Sequence, residues 1–593
     1  MQEKIAKIKI DNTDYKVPEG ITVLDACRSL NIEIPALCYM KDVSNVASCS
    51  LCLVEVAGAR TLLRSCVTKV KDGMKISTNN QRVRNARLTN MELLLASHPA
   101  ECLTCDRNQD CDLRRMAYDM GVRDIRFDKV LEHKFDKDST SPAVVRDPDK
   151  CVLCRRCVEV CANVQNVNAI EVVNRGKQSR VSTFFEEGLG KVDCVNCGQC
   201  IMVCPTGAIV EKDSTKDVWA ALHDPDKIVM VEVAPAVRAA LGEEFGMPAG
   251  TLVTGKIPTA LRRLGFSKVF DTQFSADLTI MEEGSELIHR LKTGGKLPLI
   301  TSCSPGWIKF AEHFFPEVFG NISTCKSPQQ MFGAVAKTYY AEKMKMDPRN
   351  IVVVSVMPCT AKKFEAKRPE FDSAFKYWKE KMSLSDNDIF PDVDHVLTTR
   401  ELGRMIKESG IGFSKLADSQ FDNPLGVSTG AAVIFGATGG VMEAALRTAY
   451  EIISGETLPS VDFEAVRGFE GIKTAEVDIK GTKLKAAVAH TLSNAKILLE
   501  EVAKGTSPYA FIEIMTCPGG CLGGGGQPIP TNDEIRQKRA EAIYKEDKNK
   551  KLRKSHENPA VKAIYSEFLK EPLGHLSHEL LHTEYTARKI LVK

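Results

Sequence analysis

The chain has 593 residues, and its 80 Lys and Arg residues nearly balance its 77 Asp and Glu residues. This length predicts several domains, since single domains usually hold about 100–200 residues. The formal net charge of +3 argues against nucleic acid as a partner, and 43% hydrophobic with 26% charged residues is typical of globular domains. No apolar run approaches the roughly 20 residues that cross a bilayer, and no signal core precedes the first domain, so we expect a cytoplasmic protein without a membrane span.

Cysteine is the unusual component of this composition. Most of the 21 cysteines precede residue 205, many of them at repeated C-x-x-C spacings. In a large chain without a signal sequence, that spacing favours metal thiolates over a disulfide framework. An odd total also leaves at least one thiol unpaired in any disulfide scheme. We therefore expect metal binding.

Residues 1–80 predict a small α+β domain of short strands with one helix from Val23 to Leu30. Its candidate metal ligands are Cys38, Cys49, Cys52 and Cys66. Their spacing resembles that of the β-grasp-like 2Fe-2S domain at the start of the large iron–sulfur subunit of respiratory NADH dehydrogenase. Cys27 lies on the predicted helix outside this pattern, and we expect it to be a buried apolar side chain.

Residues 81–122 predict a mostly helical second segment. Its candidate ligands are His98, Cys102, Cys105 and Cys111. An imidazole just before three thiols resembles the 4Fe-4S site of the same NADH dehydrogenase subunit, and such a ligand changes the charge and reduction potential of a cluster. A single zinc ion with three thiolates and one imidazole satisfies the same ligand set and stays open as an alternative.

Residues 140–212 contain one cysteine unit twice. The pattern C-x2-C-x2-C-x3-C is the signature of bacterial two-cluster ferredoxins, in which the fourth cysteine of each run binds the other cluster. One 4Fe-4S cluster is therefore assigned to Cys151, Cys154, Cys157 and Cys204, and the other to Cys194, Cys197, Cys200 and Cys161.

After a polar linker at residues 211–227, the region 225–530 changes character. Four apolar runs, KIVMVEV, LPLIT, IVVVSVM and YAFIEIM, predict buried parallel strands that alternate with helices. Each run passes into a loop that carries Pro, Cys or Gly. Ligands bind at the carboxyl ends of the strands in open α/β sheets, so we expect these loops to converge on one metal pocket. Residues 531–593 predict helices packed around the outside of this domain, and we expect no chemistry from their histidines.

Three segments of this region resemble the signature segments of the iron-only hydrogenases. They are TSCSPGW (Thr301–Trp307), MPCTAKK (Met357–Lys363) and EIMTCPGGCLGGGGQP (Glu513–Pro528). The resemblance implies an α/β catalytic domain with parallel sheets flanked by helices, preceded by α+β iron–sulfur modules. It also implies a hydrogenase that interconverts H2 with two protons and two electrons. The implied H-cluster is a 4Fe-4S cubane joined to a two-iron site with CO, cyanide and a bridging dithiolate.

The resemblance also assigns roles to single residues. Cys359, Cys517 and Cys521 are the implied cubane ligands, with Cys521 as the bridge to the two-iron site, and Lys362 is the implied hydrogen-bond donor to a cyanide. The glycine run at 523–526 would let the backbone approach the cluster closely. The side chains implied to face the two-iron site are Ala234, Pro235, Gln329, Met357 and Met515.

The implied proton route passes through Cys303, Glu283, Ser323, Glu286 and Arg290. Buried carboxyl groups have raised pKa values and can carry protons near neutrality, so such a chain is chemically reasonable. Judged from the residues alone, the run MEEGSE instead favours a solvated helix start.

One position departs from the family pattern. The family usually has TSCCP, in which the first cysteine relays protons and the second binds the cubane, whereas this chain has Ser304 in the second position. Thiolate is the preferred iron ligand, so either Ser304 binds as an alkoxide or Cys303 takes the ligand role. The sequence leaves both alternatives open.

The N-terminal ligand sets predict one 2Fe-2S cluster and three accessory 4Fe-4S clusters, which would carry electrons to partner proteins. We find no convincing nucleotide site, because Ile257 stands where a phosphate-binding loop requires Ser or Thr. The chain looks most like the catalytic subunit of multimeric NAD(P)-linked hydrogenases. That resemblance implies a flavin- and NAD(P)-binding iron–sulfur subunit and a small 2Fe-2S subunit as partners, with soluble ferredoxin as a further electron carrier.

Two alternatives stay open from the sequence. One is a hydrogenase that uses ferredoxin alone, and the other is a non-catalytic iron–sulfur protein of hydrogenase ancestry, such as a redox sensor or an assembly factor. Lys362, Met357, Cys517 and Cys521 weigh against the second alternative, because a protein without the two-iron site has no use for them. Ser304 weighs modestly in its favour.

Overall fold

The computed structural model describes residues 4–129, 135–479 and 482–590. The chain divides into two units, the first of Met1–Val192 with Val203–Val210 and the second of Asp193–Met202 with Glu211–Lys593. This division cuts across the predicted 140–212 domain, because the second unit takes the segment that carries the first three cysteines of the second run. Within the described ranges, no helix combines the length and the apolar character that a membrane span requires.

The N-terminal part of the chain is built of short elements. Its strands are β1 (Ile5–Ile10), β2 (Thr13–Pro18), β3 (Leu53–Val56), β4 (Leu63–Arg64), β5 (Lys75–Ser77), β6 (Val144–Arg146), β7 (Glu171–Val173), β8 (Arg180–Ser182) and β9 (Ile209–Glu211). Its helices are α1 (Val23–Ser29), α2 (Gln81–Ala96), α3 (Asp112–Asp119), α4 (Arg156–Glu159) and α5 (Gln199–Val203). Strands β1 to β5 form one sheet in the order β2-β1-β5-β3-β4, which with α1 gives the α+β character predicted for residues 1–80.

The first sheet and its helix follow from the local sequence. Strand β1 buries Ala6, Ile8 and Ile10 on one face, as the period of two along a strand requires. Helix α1 begins after Thr22, whose hydroxyl accepts a hydrogen bond from the Asp25 amide. Cys27 on α1 is fully buried in the core, which confirms that it is an apolar core residue.

The remainder of the chain holds more helices and two four-stranded sheets. Its strands are β10 (Ile228–Val233), β11 (Lys268–Asp271), β12 (Leu299–Ile300), β13 (Ile351–Met357), β14 (His395–Thr398), β15 (Ile472–Ile479), β16 (Thr482–His490) and β17 (Phe511–Met515). Its helices up to residue 408 are α6 (Thr215–His223), α7 (Lys256–Leu264), α8 (Thr272–Thr293), α9 (Pro305–Phe314), α10 (Pro328–Val335), α11 (Ala341–Met344), α12 (Ala361–Glu365), α13 (Ser373–Lys381) and α14 (Thr399–Glu408). The later helices are α15 (Gly430–Ile434), α16 (Gly440–Ser454), α17 (Leu492–Ala503), α18 (Asp533–Asn549), α19 (Pro559–Ile564) and α20 (His575–Leu581).

The two sheets of the second unit are mainly parallel. One has the order β11-β10-β13-β14 with every pair parallel, and the other has the order β12-β17-β16-β15 with only the β15-β16 pair antiparallel. The four apolar runs of the sequence are β10, β12, β13 and β17, so these strands are confirmed and divided between two sheets. Strand β13 is buried along its whole length, as expected for a strand covered on both faces. The predicted α/β architecture with parallel sheets flanked by helices is confirmed.

Two polar stretches are more structured than their composition indicated. The linker at 211–227 contains helix α6, because Val218 is fully buried and Trp219 packs against the same core. Helix α18, in the segment 531–593 expected to pack around the outside, buries charged side chains on one of its faces. Its Arg539 and Asp547 are fully buried, and each is ion-paired: Arg539 with Glu243 at 2.6 Å, and Asp547 with a buried arginine at 2.8 Å. Paired charges allow a polar helix to be buried.

Candidate active site

The predicted loops converge on one cavity in the second unit. Strands β10, β12, β13 and β17 all end at this cavity, because parallel strands bring their carboxyl ends to the same edge of a sheet. The residues that the sequence assigned to the site and that line the cavity are Ala234, Pro235, Cys303, Ser304, Gln329, Met357, Cys359, Lys362, Met515, Cys517 and Cys521.

The three cysteines proposed as cubane ligands are enclosed together. Cys517 is buried, whereas Cys359 and Cys521 are half-buried and line the cavity. Burial raises the pKa of all three thiols. The nearby Cys359 raises the pKa of Cys517 and Cys521 further, and the pKa of Cys521 reaches about 12. Neighbouring thiols of this kind become thiolates only when a cation compensates their charge. An iron–sulfur cluster provides that compensation, so the donor set fits such a group.

The glycine run after Cys521 packs closely against other backbone segments. A Cβ on Gly524 would lie 2.2 Å from the Pro358 carbonyl oxygen, and one on Gly525 would lie 2.3 Å from the Cys197 carbonyl oxygen. These glycines therefore permit close packing of protein backbone on protein backbone, and Gly524 also lines the cavity. They also place the loop of Cys197 against the loop of Cys521.

Lys362 and Gln329 on the cavity wall share a partner that sequence reasoning missed. The Lys362 ammonium donates to Glu365 Oε2 at 2.8 Å and to the Cys303 carbonyl at 3.2 Å, and Gln329 Nε2 donates to Glu365 Oε2 at 3.2 Å. Gln329 Oε1 is buried without a partner among the described residues. Glu365 thus orients two polar side chains of the cavity wall. Its spacing of three residues from Lys362, on one helix face, was the available signal.

The acidic run MEEGSE is not a solvated helix start, because it lies in the middle of the long helix α8. Glu282, Glu283 and Glu286 are all buried, with exposures of 0%, 1% and 8%. Burial raises the pKa of Glu283 to about 8, and the nearby Glu286 carboxylate adds to that rise. Glu283 is therefore mainly protonated at neutral pH, and one of its oxygens has no hydrogen-bond partner among the described residues.

The five residues of the implied proton route lie next to one another. Ser323 donates its hydroxyl hydrogen to Glu286 Oε2 at 2.8 Å, and Arg290 donates to Glu286 Oε1 at 2.6 Å. Ser323 also lowers the pKa of Glu283, against the larger effect of burial. Burial raises the pKa of the Cys303 thiol well above its ordinary value, and Glu283 is the charged neighbour that raises it most. Hydrogen bonds therefore join Ser323, Glu286 and Arg290, and electrostatic effects on pKa relate Glu283 to Cys303 and Glu286.

Ser304 and Cys303 have different surroundings. The Ser304 and Thr516 hydroxyl oxygens lie 2.8 Å apart, and the Thr516 amide donates to Ser304 Oγ at 3.3 Å. Ser304 is also the residue just before helix α9. Both residues line the cavity, but the Ser304 hydroxyl is held by the loop after β17, whereas the Cys303 thiol is next to Glu283.

The first unit gathers three predicted ligand sets. Cys38, Cys49, Cys52 and Cys66 are all buried, and a hydrogen bond with Cys49 lowers the pKa of Cys38 to about 5. A second group lines one pocket and consists of His98, Cys102, Cys105 and Cys111. A third group lines another pocket and consists of Cys151, Cys154, Cys157 and Cys204.

His98 is in the form that a metal requires. Burial lowers its imidazole pKa to about 4, so the ring is neutral at pH 7, and its buried Nδ1 atom has no partner among the described residues. Among the described residues, no three His, Cys, Asp or Glu side chains converge closely enough to hold a single metal ion.

The last ligand set is divided, with Cys161 in the first unit and Cys194, Cys197 and Cys200 in the second. The Asn196 amide donates to the Cys194 sulfur at 3.4 Å, and burial raises the pKa of Cys197 well above its ordinary value. Cys517 is the charged neighbour that contributes most to that rise. This accessory segment is therefore adjacent to a proposed cubane ligand.

Comparisons with known proteins agree with this geometry. Residues 227–525 match the family model of the iron only hydrogenase large subunit, C-terminal domain, and the chain therefore belongs to the iron-only hydrogenases. It is 52% identical to the NADP-reducing hydrogenase subunit HndD of Solidesulfovibrio fructosivorans, over 98% of this chain and 99% of that protein. It is 40% identical to iron hydrogenase 1 of Clostridium pasteurianum, over 98% of this chain and 99% of that protein. A structure of the apo FeFe-hydrogenase HydA1 from Chlamydomonas reinhardtii has a TM-score of 0.56 and 44% identity, covering 63% of this chain and 99% of that one.

Four other segments match family models. They are a 2Fe-2S iron–sulfur cluster binding domain at residues 3–81, the NADH-ubiquinone oxidoreductase-G iron–sulfur binding region at 87–126, a 4Fe-4S dicluster domain at 150–208 and the iron hydrogenase small subunit at 533–588. The expected iron–sulfur modules and catalytic domain are thereby confirmed. The chain is the catalytic subunit of an FeFe-hydrogenase with accessory iron–sulfur domains, and it is an oxidoreductase.

The raised pKa of Glu283 predicts how stability depends on pH. Between its unfolded pKa, near 4.5, and its folded pKa, about 8, the folded protein holds one more proton than the unfolded chain. The contribution of this group to stability is therefore fully present below 4.5 and is lost as pH rises to 8. Glu283→Gln cannot ionise, so we expect its melting temperature to fall less than that of the parent over this pH range. If the melting temperatures of the two proteins fall equally over this pH range, the raised pKa assigned to Glu283 is wrong.

Proposed function

We propose that this chain interconverts H2 with two protons and two electrons at an H-cluster held by Cys359, Cys517 and Cys521. The proposed cofactor is a 4Fe-4S cubane joined through Cys521 to a two-iron site with CO, cyanide and a bridging dithiolate. The observation that carries this proposal is the meeting of three thiols, from loops after two different sheets, in one enclosed cavity. When bound, the cluster supplies the iron that reacts with hydrogen and exchanges electrons.

The protein side chains would then bind, orient and exclude water. Lys362, held by Glu365, presents an ammonium group to a cyanide, and a charge of this kind acts strongly in a cavity with few polar groups. Met357 and Met515, with Ala234 and Pro235, form the apolar wall that keeps water away from the reacting atoms. Gln329 faces the same space with one buried amide oxygen lacking a partner.

The proton route uses groups that are protonated or hydrogen-bonded at neutral pH. Cys303 would hold a proton at the cavity, and Glu283 would exchange it with Ser323 and Glu286. Arg290 stabilises the Glu286 carboxylate and marks the outer end of the route. A carboxyl group with a pKa near the working pH is an efficient proton carrier, because it gives up and regains its proton at similar cost.

This assignment of Cys303 leaves Ser304 as the fourth cubane position. The support is the difference in neighbours, since Glu283 acts on the thiol of Cys303 while Ser304 lies beside Thr516. Ser304→Cys would then replace a hard oxygen by a thiolate and shift the reduction potential of the cubane. We expect a potential shift in a spectroscopically monitored titration. An unchanged potential and spectrum would remove Ser304 from the ligand set.

We further propose that one 2Fe-2S and three accessory 4Fe-4S clusters connect the active site with partner proteins. The partners would be a flavin- and NAD(P)-binding iron–sulfur subunit, a small 2Fe-2S subunit and soluble ferredoxin, and a cytoplasmic location stays a prediction. The support is the similarity over nearly full length to a subunit named for NADP reduction. Gel filtration of the native enzyme should show a complex of several polypeptides with NAD(P)-linked activity. A lone polypeptide that is active with ferredoxin would favour the ferredoxin-only alternative.

Removing one proposed cubane ligand tests the assignment directly. In Cys359→Ala we expect the iron content to fall by at least the cubane and H2 turnover to be lost, because the remaining buried thiols no longer surround the cluster. Cys27→Ala is the matched control, since Cys27 is fully buried but lies outside every ligand set. Iron counting and H2 evolution on matured samples measure both. Normal turnover in Cys359→Ala would refute the ligand role.

A further inference from the structure

The C-terminal segment Leu581–Tyr585 contacts the proton route, although its sequence carries no signature of the reaction. The Lys326 amide donates to the Leu581 carbonyl at 2.7 Å, and the Thr583 amide donates to the Thr324 carbonyl at 2.7 Å. Between these bonds His582 pairs with Cys325 as in an antiparallel sheet. The C-terminal segment therefore adds one short strand along the stretch that follows Ser323.

Ser323 is fixed between this strand and the edge of a sheet. Its amide donates to the carbonyl of Ile300 in β12 at 2.8 Å, and its carbonyl accepts a hydrogen bond from the Tyr585 hydroxyl at 2.5 Å. The Ser323 hydroxyl oxygen accepts from the Cys325 amide at 3.2 Å, so its own hydrogen points to Glu286. Because Cys325 is the residue paired with His582, the C-terminal strand also fixes the group that orients this hydroxyl.

The C-terminal part of the chain also gives hydrogen-bond partners to one acidic residue of helix α8, Glu282. Glu282 accepts hydrogen bonds from the Tyr565 hydroxyl at 2.5 Å and the Leu573 amide at 2.8 Å, and it pairs with His582 Nε2 at 3.2 Å. Burial alone would raise the pKa of Glu282, but these partners lower it below its ordinary value. Glu282 is therefore a fixed carboxylate with its acceptors occupied, whereas its neighbour Glu283 keeps an oxygen without a partner.

The ring of His582 completes the contact. Its other nitrogen, Nδ1, lies 2.8 Å from the Thr324 hydroxyl oxygen, and Thr324 donates its amide to Glu286 Oε2 at 3.2 Å. The His582 side chain thus contacts both Glu282 and Thr324, and Thr324 in turn contacts Glu286. The side-chain and backbone contacts of this segment therefore fix the surroundings of Ser323 and Glu286.

We infer that the C-terminal segment Leu581–Tyr585 is a positioning element of the proton route, which holds the Ser323 hydroxyl so that its hydrogen points to Glu286. The inference rests on the proposed function, because it needs Ser323 and Glu286 to carry protons. The segment itself exchanges no proton with the reacting atoms. It determines how often the hydroxyl is aligned for transfer, and a small misalignment slows such a step strongly.

Two variants of the full-length, matured enzyme test this role. Tyr585→Phe removes the hydrogen bond to the Ser323 carbonyl, and Thr583→Pro removes the amide that donates to Thr324. Thr586→Pro, at an exposed position three residues further on, is the matched control for a proline in this tail. Infrared intensity of the CO and cyanide bands gives the amount of loaded enzyme, so rates are compared per active site.

We expect two effects in both variants. Amide hydrogen exchange in residues 322–326 should become faster, and H2 evolution should become roughly three- to tenfold slower, as expected for the loss of one hydrogen bond. The solvent H/D isotope effect on turnover should rise, because proton transfer becomes a larger part of the rate. Thr586→Pro should match the parent in all three measurements. A purely structural contact would change the exchange without changing the isotope effect.

Ser323→Ala in the same assay separates this inference from the proposed function. If Ser323→Ala is slow while Tyr585→Phe and Thr583→Pro turn over at the parent rate with the parent isotope effect, the positioning role is wrong and the proton route stands. If Ser323→Ala itself turns over normally, the proton route is wrong. Unchanged hydrogen exchange at residues 322–326 in both variants would also overturn the positioning role.

Discussion

The gathering of three thiols in one cavity, with burial that disfavours their charged form, is the constraint on which the rest of this structure depends. Cys359 precedes Cys517 and Cys521 by more than 150 residues. Both loops that carry these cysteines follow parallel strands that end at the same cavity. Thiolates in such surroundings are unstable unless a metal cluster compensates them. The two sheets, the backbone packing at Gly524 and the buried pair of Lys362 and Glu365 all hold these loops in place.

The same burial that suits a metal cluster creates the proton-carrying groups. Glu283 is protonated near neutrality because it is buried beside Glu286, and the neighbouring Glu282 is kept ionised by three donors from the C-terminal part of the chain. The surroundings thereby keep one of two adjacent carboxyl groups, Glu283, protonated and the other, Glu282, ionised. The apolar wall and the polar relay are two consequences of one enclosed site.

The parts that the sequence predicts are those with local signals. The cysteine spacing and the four apolar runs can be recognised in the sequence, because ligand geometry and strand burial impose patterns on residues close together in the chain. Strands β11, with the sequence KVFD, and β14, with the sequence HVLT, contain polar residues and form no apolar run, and they were not predicted. Glu365 acts on Gln329 across two helices distant in sequence, and the MEEGSE run looks exposed because composition cannot show that other segments cover it. The buried charges of α18 escaped for the same reason, since their partners lie elsewhere in the chain.

Infrared spectroscopy of the matured full-length chain tests the central claim most directly. If three thiols hold an H-cluster in the cavity, the parent should show stretching bands of CO and cyanide, and Cys521→Ala should lose them because the link between cubane and two-iron site is gone. An iron hydrogenase matured in the same way serves as the positive control. A parent sample without these bands, beside a control that shows them, would contradict the account.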